Sequence, residues 1–158
     1  MTPPIHLRPA TASDVPAIGA LYQLSRATFL PYALSPHTPV QVQAWIAKHW
    51  VATGNTLLAV CDEQIVGMLV IEQQAQAGWI DQLYLHPAFV RHGLGTRLLQ
   101  HALHTLTPPV RLYTFQQNTA ARAFYEHHGF RAIAFGDGSA NEEHCPDVLY
   151  EWGTAATP

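Results

Sequence analysis

The stretch that most narrows the choice of fold is Leu83-Tyr84-Leu85-His86-Pro87-Ala88-Phe89-Val90-Arg91-His92-Gly93-Leu94-Gly95-Thr96. A strand runs into His-Pro, a short loop follows, and a helix opens on two glycines, Gly93 and Gly95. The first N–H groups of a helix have no internal partners, and the macrodipole adds partial positive charge there, so a phosphate is favoured at such an end. Glycines let the backbone come close to the anion, and Arg91 and Thr96 offer further donors. An ordinary glycine turn before a helix has the same pattern, and the pattern alone does not separate the two. Two familiar phosphate loops are excluded. The dinucleotide fingerprint needs a glycine where Leu98 stands, and the P-loop needs a Gly-Lys-Ser/Thr that is absent.

On either side of this stretch the hydrophobic period alternates between that of a strand and that of a helix. Ile5–Arg8 alternates as a first strand. A helix then carries Val15, Ile18, Leu21, Tyr22 and Leu24 at helical spacing, with Ser13 as the expected cap and Pro16 in the first turn. Thr38-Pro39-Val40-Gln41 is a capping box with Pro at the first helical position, and it opens a second helix running to about Val51. Thr56–Cys61, Ile65–Glu72 and Gly78–Leu85 read as a meander of three strands, the first two joined by a hairpin at Asp62-Glu63-Gln64. Leu94–Leu106 is a helix stopped by Pro108-Pro109. Val110–Phe115 is a strand, Asn118–His128 a helix ended by Gly129, and Phe130–Phe135 and Val148–Trp152 are the last strands. The order is βααβββαβαββ, an α/β (α+β) chain with a mixed sheet. Neither a linker nor a repeat divides it, so residues 1–158 read as a single domain.

Composition excludes several classes of function. The chain has a formal net charge of −3 and no run of Lys or Arg, which argues against nucleic acid or an anionic membrane as partner. No window is apolar enough to span a bilayer, and Met1-Thr2-Pro3-Pro4-Ile5-His6 lacks the basic start and apolar stretch of an export signal. A cytoplasmic location is therefore expected. Cys61 and Cys145 match no metal or redox spacing and read as reduced thiols, Cys61 within a strand. Of the histidines, only His101 and His104 share a helical face at useful spacing, with no carboxylate beside them, so no metal site is expected.

The Leu-x-Leu strand, the His-Pro and the Gly-x-Gly loop together resemble the signature of the GNAT family of N-acetyltransferases. A second block, Asn118-Thr119-Ala120-Ala121-Arg122-Ala123-Phe124-Tyr125-Glu126-His127-His128-Gly129-Phe130, is similar to that family's N-x-x-A-x-x-F/L-Y-E-x-x-G-F segment. The start, Leu7-Arg8-Pro9-Ala10-Thr11 with Asp14, looks like the family's opening, and Asn141–Trp152 is similar to the end of a bacterial branch, so the resemblance spans nearly the whole chain. One position departs: the family's usual Gln or Arg three residues before the first glycine is Val90, so phosphate binding would lean on backbone amides and Arg91.

The resemblance implies an acyl-CoA N-acyltransferase fold and a transfer of an acetyl group from acetyl-CoA to a primary amine of a small molecule or peptide. It implies a coenzyme site made of Leu83, Leu85, Val90, Arg91, His92, Gly93, Leu94, Gly95, Thr96, Asn118 and Tyr125. Tyr125 would protonate the departing thiolate, and the amide of Leu85 would meet the developing oxyanion. Asp81 is the first candidate for the base, with Leu83 and Leu85 on its face by two-residue alternation. Glu142 is the second, in a loop that the family folds over the acceptor. Phe29, Leu30 and Tyr32, with Trp79 near the active strand, suggest a wall for a partly apolar acceptor, though the same residues also suit packing between helices. Asn118 and Tyr125 singly also suit a helix cap and a core aromatic. Family members often pair, and the C-terminal strand is the expected place for a homodimer. A non-catalytic acyl-CoA-binding regulatory module is the alternative function.

Overall fold

The computed structural model describes residues 3–33 and 35–153. Seven strands form one mixed sheet: β1 Ile5–Pro9, β2 Thr56–Cys61, β3 Gln64–Gln73, β4 Gly78–Leu85, β5 Val110–Phe115, β6 Arg131–Gly136 and β7 Asp147–Trp152. Four helices cover it: α1 Val15–Phe29, α2 Pro39–Trp45, α3 Leu94–Thr105 and α4 Thr119–His127. The strand order is β1-β2-β3-β4-β5-β7-β6, and the βααβββαβαββ order expected from the hydrophobic periods is the order found.

Each face of the sheet buries its own core. Val15, Ile18 and Leu21 of α1 and Val42 of α2 pack on Leu58, Val60, Met68 and Val70 of β2 and β3. On the other face, Leu94, Leu98, Leu99 and Ala102 of α3 and Tyr125 of α4 pack on Ala59, Val66, Leu69, Ile80, Leu112 and Tyr150. The spacing of the α3 residues puts them on one stripe, and each leucine so buried contributes about 1.5–3 kcal/mol of transfer free energy. β2 and β3 therefore have apolar side chains on both faces, which is why they read as almost continuous hydrophobic runs.

Local chemistry sets the ends of the elements. Thr38 accepts from the Gln41 amide at 3.2 Å while the Gln41 side chain accepts from the Thr38 amide at 2.9 Å, closing the expected capping box. The second helix does run to Val51, but from Ile46 onward as a π-helical turn. The β2–β3 hairpin has a two-residue turn, Asp62 and Glu63, both at positive φ (48° and 65°), the geometry whose twist matches the flanking strands.

Two expectations are corrected. The first helix is not capped by Ser13. A 3₁₀ turn, Ala12–Asp14, precedes α1, and the Asp14 carboxylate takes the Thr11 amide at 2.8 Å and the Arg8 guanidinium in a bidentate pair at 2.8 and 2.9 Å. A planar guanidinium matches a carboxylate better than a hydroxyl matches an amide, so Asp14 organises this turn. The C-terminal strand is also not a free edge. β7 is paired on both sides, to β5 and β6, and the exposed edges are β1 and β6.

The Arg8 hydrogen bonds hold the Asp14 carboxyl well below the usual carboxylate range, against a smaller opposing effect of burial. A depressed acid stabilises the fold fully above its unfolded value near 4 and loses that contribution as pH falls through its folded value. Asp14→Asn should therefore cost about 1–2 kcal/mol at pH 7, discounted because Arg8 is partly exposed. In thermal unfolding the gap between wild type and variant should narrow steadily below about pH 4; a gap that stays constant to pH 2 would show that the charge does not matter.

Candidate active site

The cleft begins where two strands part. β4 and β5 pair in parallel only at Gly78 with Val110 and Trp79 with Arg111. Beyond that point β4 continues to Leu85 and β5 to Phe115 without touching as a ladder. A β-bulge lies at the divergence: Val70 pairs with Gln82 and Ile71 with Ile80, so Asp81 is the extra residue of β4. A bulge bends and twists its strand, and this one comes two residues after the last β4–β5 pair. The gap opens into a cavity of about 1010 Å³, lined among others by Asp81, Leu83, Tyr84, Tyr125, Asn118 and Glu142.

The bulge also resets the alternation along β4. Ile80, Leu83 and Leu85 all pack into the α3 core, while Tyr84 packs against the α1–α2 core. Unbroken alternation from Ile80 would have put Ile80 and Tyr84 on one face. The phase resets at Asp81, so Ile80 joins the face of Leu83 and Leu85, while Asp81 and Leu83 line the same cavity.

The backbone of β4 then faces the gap in a defined way. The His86 amide donates to Val66 O at 2.8 Å, which marks that pair as hydrogen-bonded. Bonding alternates along an antiparallel ladder, so the Gln82 and Tyr84 amides face β3 and those of Leu83 and Leu85 face the side that β5 has left.

At the far end of β4 lies the glycine loop. His86 caps a 3₁₀ turn, Pro87–Phe89, by accepting from the Ala88 amide at 3.0 Å. Arg91 (φ 65°) and Gly93 (φ 80°) then take left-handed conformations that turn the chain into α3, with Gly93 as its N-cap. Among the described residues, the amides of Val90 through Thr96 donate to no protein acceptor, and internal helix bonding resumes with Arg97 to Gly93 O at 3.1 Å. α3 meets its neighbours at Gly95, where a Cβ would make ordinary contact with the Phe124 ring at 3.4 Å and Leu85 Cδ1 at 3.6 Å. Thr96 Oγ1 is 3.2 Å from His128 Nε2, tying the start of α3 to the end of α4. Such a run of unpaired N–H groups at a helix start fits an extended polyanion such as a pyrophosphate.

α4 brings two side chains to the cleft. Asn118 Oδ1 caps the helix by accepting from the Ala121 amide at 3.1 Å, and the residue lines the cavity. Tyr125, two turns on, is buried with its ring against Phe124 and Phe130. Desolvation pushes its phenol well above the ordinary value, with Tyr84 nearby adding to the shift, so the phenol keeps its proton through neutral pH. Asp81 opens onto the cavity. The protein around it, and secondarily the Glu72 carboxylate, raise its pKa to about 6.

The expected acceptor wall is only partly as read. Leu30, His37 and Glu142 line the cavity. Phe29, Tyr32 and Trp79 do not: Tyr32 packs edge-on against Phe115, and Trp79 stacks on Tyr113 at 5.8 Å. What sequence reasoning missed is the group beneath that wall. Arg26 is buried and donates to Tyr84 Oη at 3.2 Å, Ala33 O at 2.9 Å and Glu143 Oε1 at 3.2 Å, with its guanidinium 5.3 Å from the Tyr22 ring centre. The signal was present in α1, where Arg26 continues the apolar stripe of Val15, Ile18 and Tyr22; a charge on a core stripe demands partners.

A family model, that of the acetyltransferase (GNAT) family, matches residues 18–130. No curated protein matches the chain. Among solved structures, the chain is similar to the PaiA N-acetyltransferase from Thermoplasma acidophilum, in complex with coenzyme A, at 18% identity and a TM-score of 0.72, covering 94% of this chain and 98% of that one. It is similar to the ribosomal-protein-S18-alanine N-acetyltransferase from Escherichia coli at 14% identity and a TM-score of 0.74, over 98% and 97%. It is also similar to Arabidopsis thaliana Naa50, in complex with the bisubstrate analogue CoA-Ac-MVNAL, at 18% identity and a TM-score of 0.70, over 94% and 98%. At these identities the structural likeness speaks for the fold, and the family match rests on sequence. The chain belongs to the GNAT acetyltransferase family.

Proposed function

We propose that this protein is an acetyl-CoA-dependent N-acetyltransferase that acylates a primary amine by direct attack. The observation that carries the proposal is the continuity of free backbone donors: the amides of Leu83 and Leu85 along the splayed strand, then those of Val90 through Thr96 at the start of α3. A coenzyme with a thioester at one end, an amide-bearing arm and a pyrophosphate matches that series in order. Arg91 and Thr96 add donors at the phosphate end, with His92, Gly93, Leu94 and Gly95 contributing backbone. Asn118, its Oδ1 engaged in capping, offers its amide hydrogens to the arm.

Acetyl-CoA supplies an activated carbonyl carbon and a thiolate leaving group. The Leu85 amide is aimed to meet the oxyanion that forms as the amine adds, and one such donor is typically worth about 10²–10³ in rate. Asp81 takes the proton released by the amine, directly or through a water; with a pKa of about 6 it is ionised yet basic enough at neutral pH. Tyr125 hands its proton to the sulfur as the C–S bond breaks. Glu142 ranks behind Asp81 as base because it already sits 2.8 Å from His37 Nε2. Holding both reactants in one cleft supplies further acceleration through proximity. The retained phenol and carboxylate favour turnover over a module that only binds acyl-CoA.

Three outcomes test this. Coenzyme A at about 100 times its dissociation constant should stabilise the protein by roughly 2.7 kcal/mol, about 5–10 °C in unfolding temperature. Gly93→Trp, forced into a left-handed conformation at the head of α3, should lose that increment; an unchanged increment would overturn the loop's role. Tyr125→Phe should lower kcat by at least about 10²-fold while coenzyme stabilisation persists. For wild type, kcat at saturating amine should rise with pH through about 6, because the base must be deprotonated in the complex. Asp81→Asn should abolish that limb along with most of the rate, and a retained limb would assign the titration to another group.

A further inference from the structure

Resting on the acetyltransferase reading, we infer that the acceptor is a small amine that carries a second positive charge on an apolar body. The inference comes from the end of the cleft away from the glycine loop, between α1, α2 and the loop joining β6 to β7.

That end is strapped. His37, in the α1–α2 connection, meets Glu142 of the β6–β7 loop at 2.8 Å, and Arg26 meets Glu143 of the same loop at 3.2 Å. Below these pairs Leu30, Ala33 and Cys145 are buried together. A peptide running through this end as an extended chain would have to part these contacts. A compact molecule would not.

The lining also sorts by charge. Asp81, Glu142, Glu143 and Asp147 line the cavity, and among the described residues Arg26 is the sole Lys or Arg that does. Arg26 is already committed, to Glu143, to Ala33 O and to the Tyr84 hydroxyl, so an acceptor carboxylate or phosphate finds no free cation there. With Glu143 paired to Arg26 and Glu142 held by His37, carboxylates still outnumber guanidinium groups in the lining, to which neither Arg91 nor Arg97 belongs. Aromatic rings complete the wall. Tyr22, Trp45, Trp50 and Tyr84 line the same end; Tyr22 meets Trp50 at 5.9 Å and Tyr84 at 5.4 Å, edge to face, and Trp45 keeps 56% of its surface exposed. Aromatic faces attract both methylene chains and ammonium groups, and a nearby carboxylate adds to the second attraction.

The test compares three amines of equal length that differ only at the far end: 1,6-diaminohexane, hexylamine and 6-aminohexanoate. Binding is followed by tryptophan fluorescence, since Trp45 and Trp50 line the site, with and without saturating coenzyme A. Turnover is followed by thiol release from acetyl-CoA. The diamine should bind and turn over at least about tenfold better than hexylamine, with 6-aminohexanoate weakest. In Glu142→Gln the diamine-to-hexylamine ratio should shrink several-fold. Equal binding of diamine and hexylamine, or preference for the acid, overturns the inference. So does failure of the diamine to bind a protein that coenzyme A still stabilises. Diamine binding without any coenzyme stabilisation would instead support the ligand class and overturn the acetyltransferase reading.

Discussion

The parallel ladder between β4 and β5 stops at Trp79 and Arg111, and the rest of the site depends on that early stop. A continuous ladder would pair the amides of Leu83 and Leu85 and fill the gap with side chains. Instead the strands diverge, and the sheet remains whole because each half is secured elsewhere. β4 is held along its length by β3, and β5 by β7. The two cores on opposite faces of β2 and β3 bury enough apolar surface to tolerate unpaired backbone in the middle of the sheet. The helices then follow the cleft: α3 starts beyond the end of β4, and α4 starts beyond the end of β5, so both N-termini stand at its rim.

Within the cleft, one physical effect acts on two groups with opposite chemical results. Burial raises the Tyr125 phenol, and the protein around the more exposed Asp81, with Glu72 nearby, raises its carboxyl. For the phenol this secures a proton to give at neutral pH. For the carboxyl it moves the titration to about 6, where the ionised form still predominates at pH 7 and is a better acceptor than an ordinary aspartate. The two shifts thus leave one group protonated and the other largely ionised at neutral pH, because they act on groups whose ordinary values lie on either side of neutrality.

Much of this was legible along the chain. Strands β2, β4 and β5 have the bounds that their alternation predicts, because each is flanked by residues that cannot continue it, such as Asp62 after β2, Pro87 beyond β4 and the Pro108–Pro109 pair before β5. The loop and the Asn118 helix were legible because their chemistry is local: a glycine at positive φ and a capping side chain act within a few residues. What failed was non-local. The bulge at Asp81 is a property of pairing with β3, and nothing in the run Gly78–Leu85 marks it. The partners of Arg26 lie far off in sequence, and the sandwiching of β7 between β5 and β6 depends on sheet order. Bulky loop residues such as Tyr32 were legible as packing surface but not as to their partner, which is Phe115.

The bulge has a further meaning for how such a site arises. Asp81 is the one residue of β4 that the ladder with β3 does not use, since its neighbours Ile80 and Gln82 are partnered by the adjacent residues Ile71 and Val70. The ladder that holds the sheet and the carboxylate that faces the cavity are therefore separate uses of one strand, and neither depends on the other for its partners.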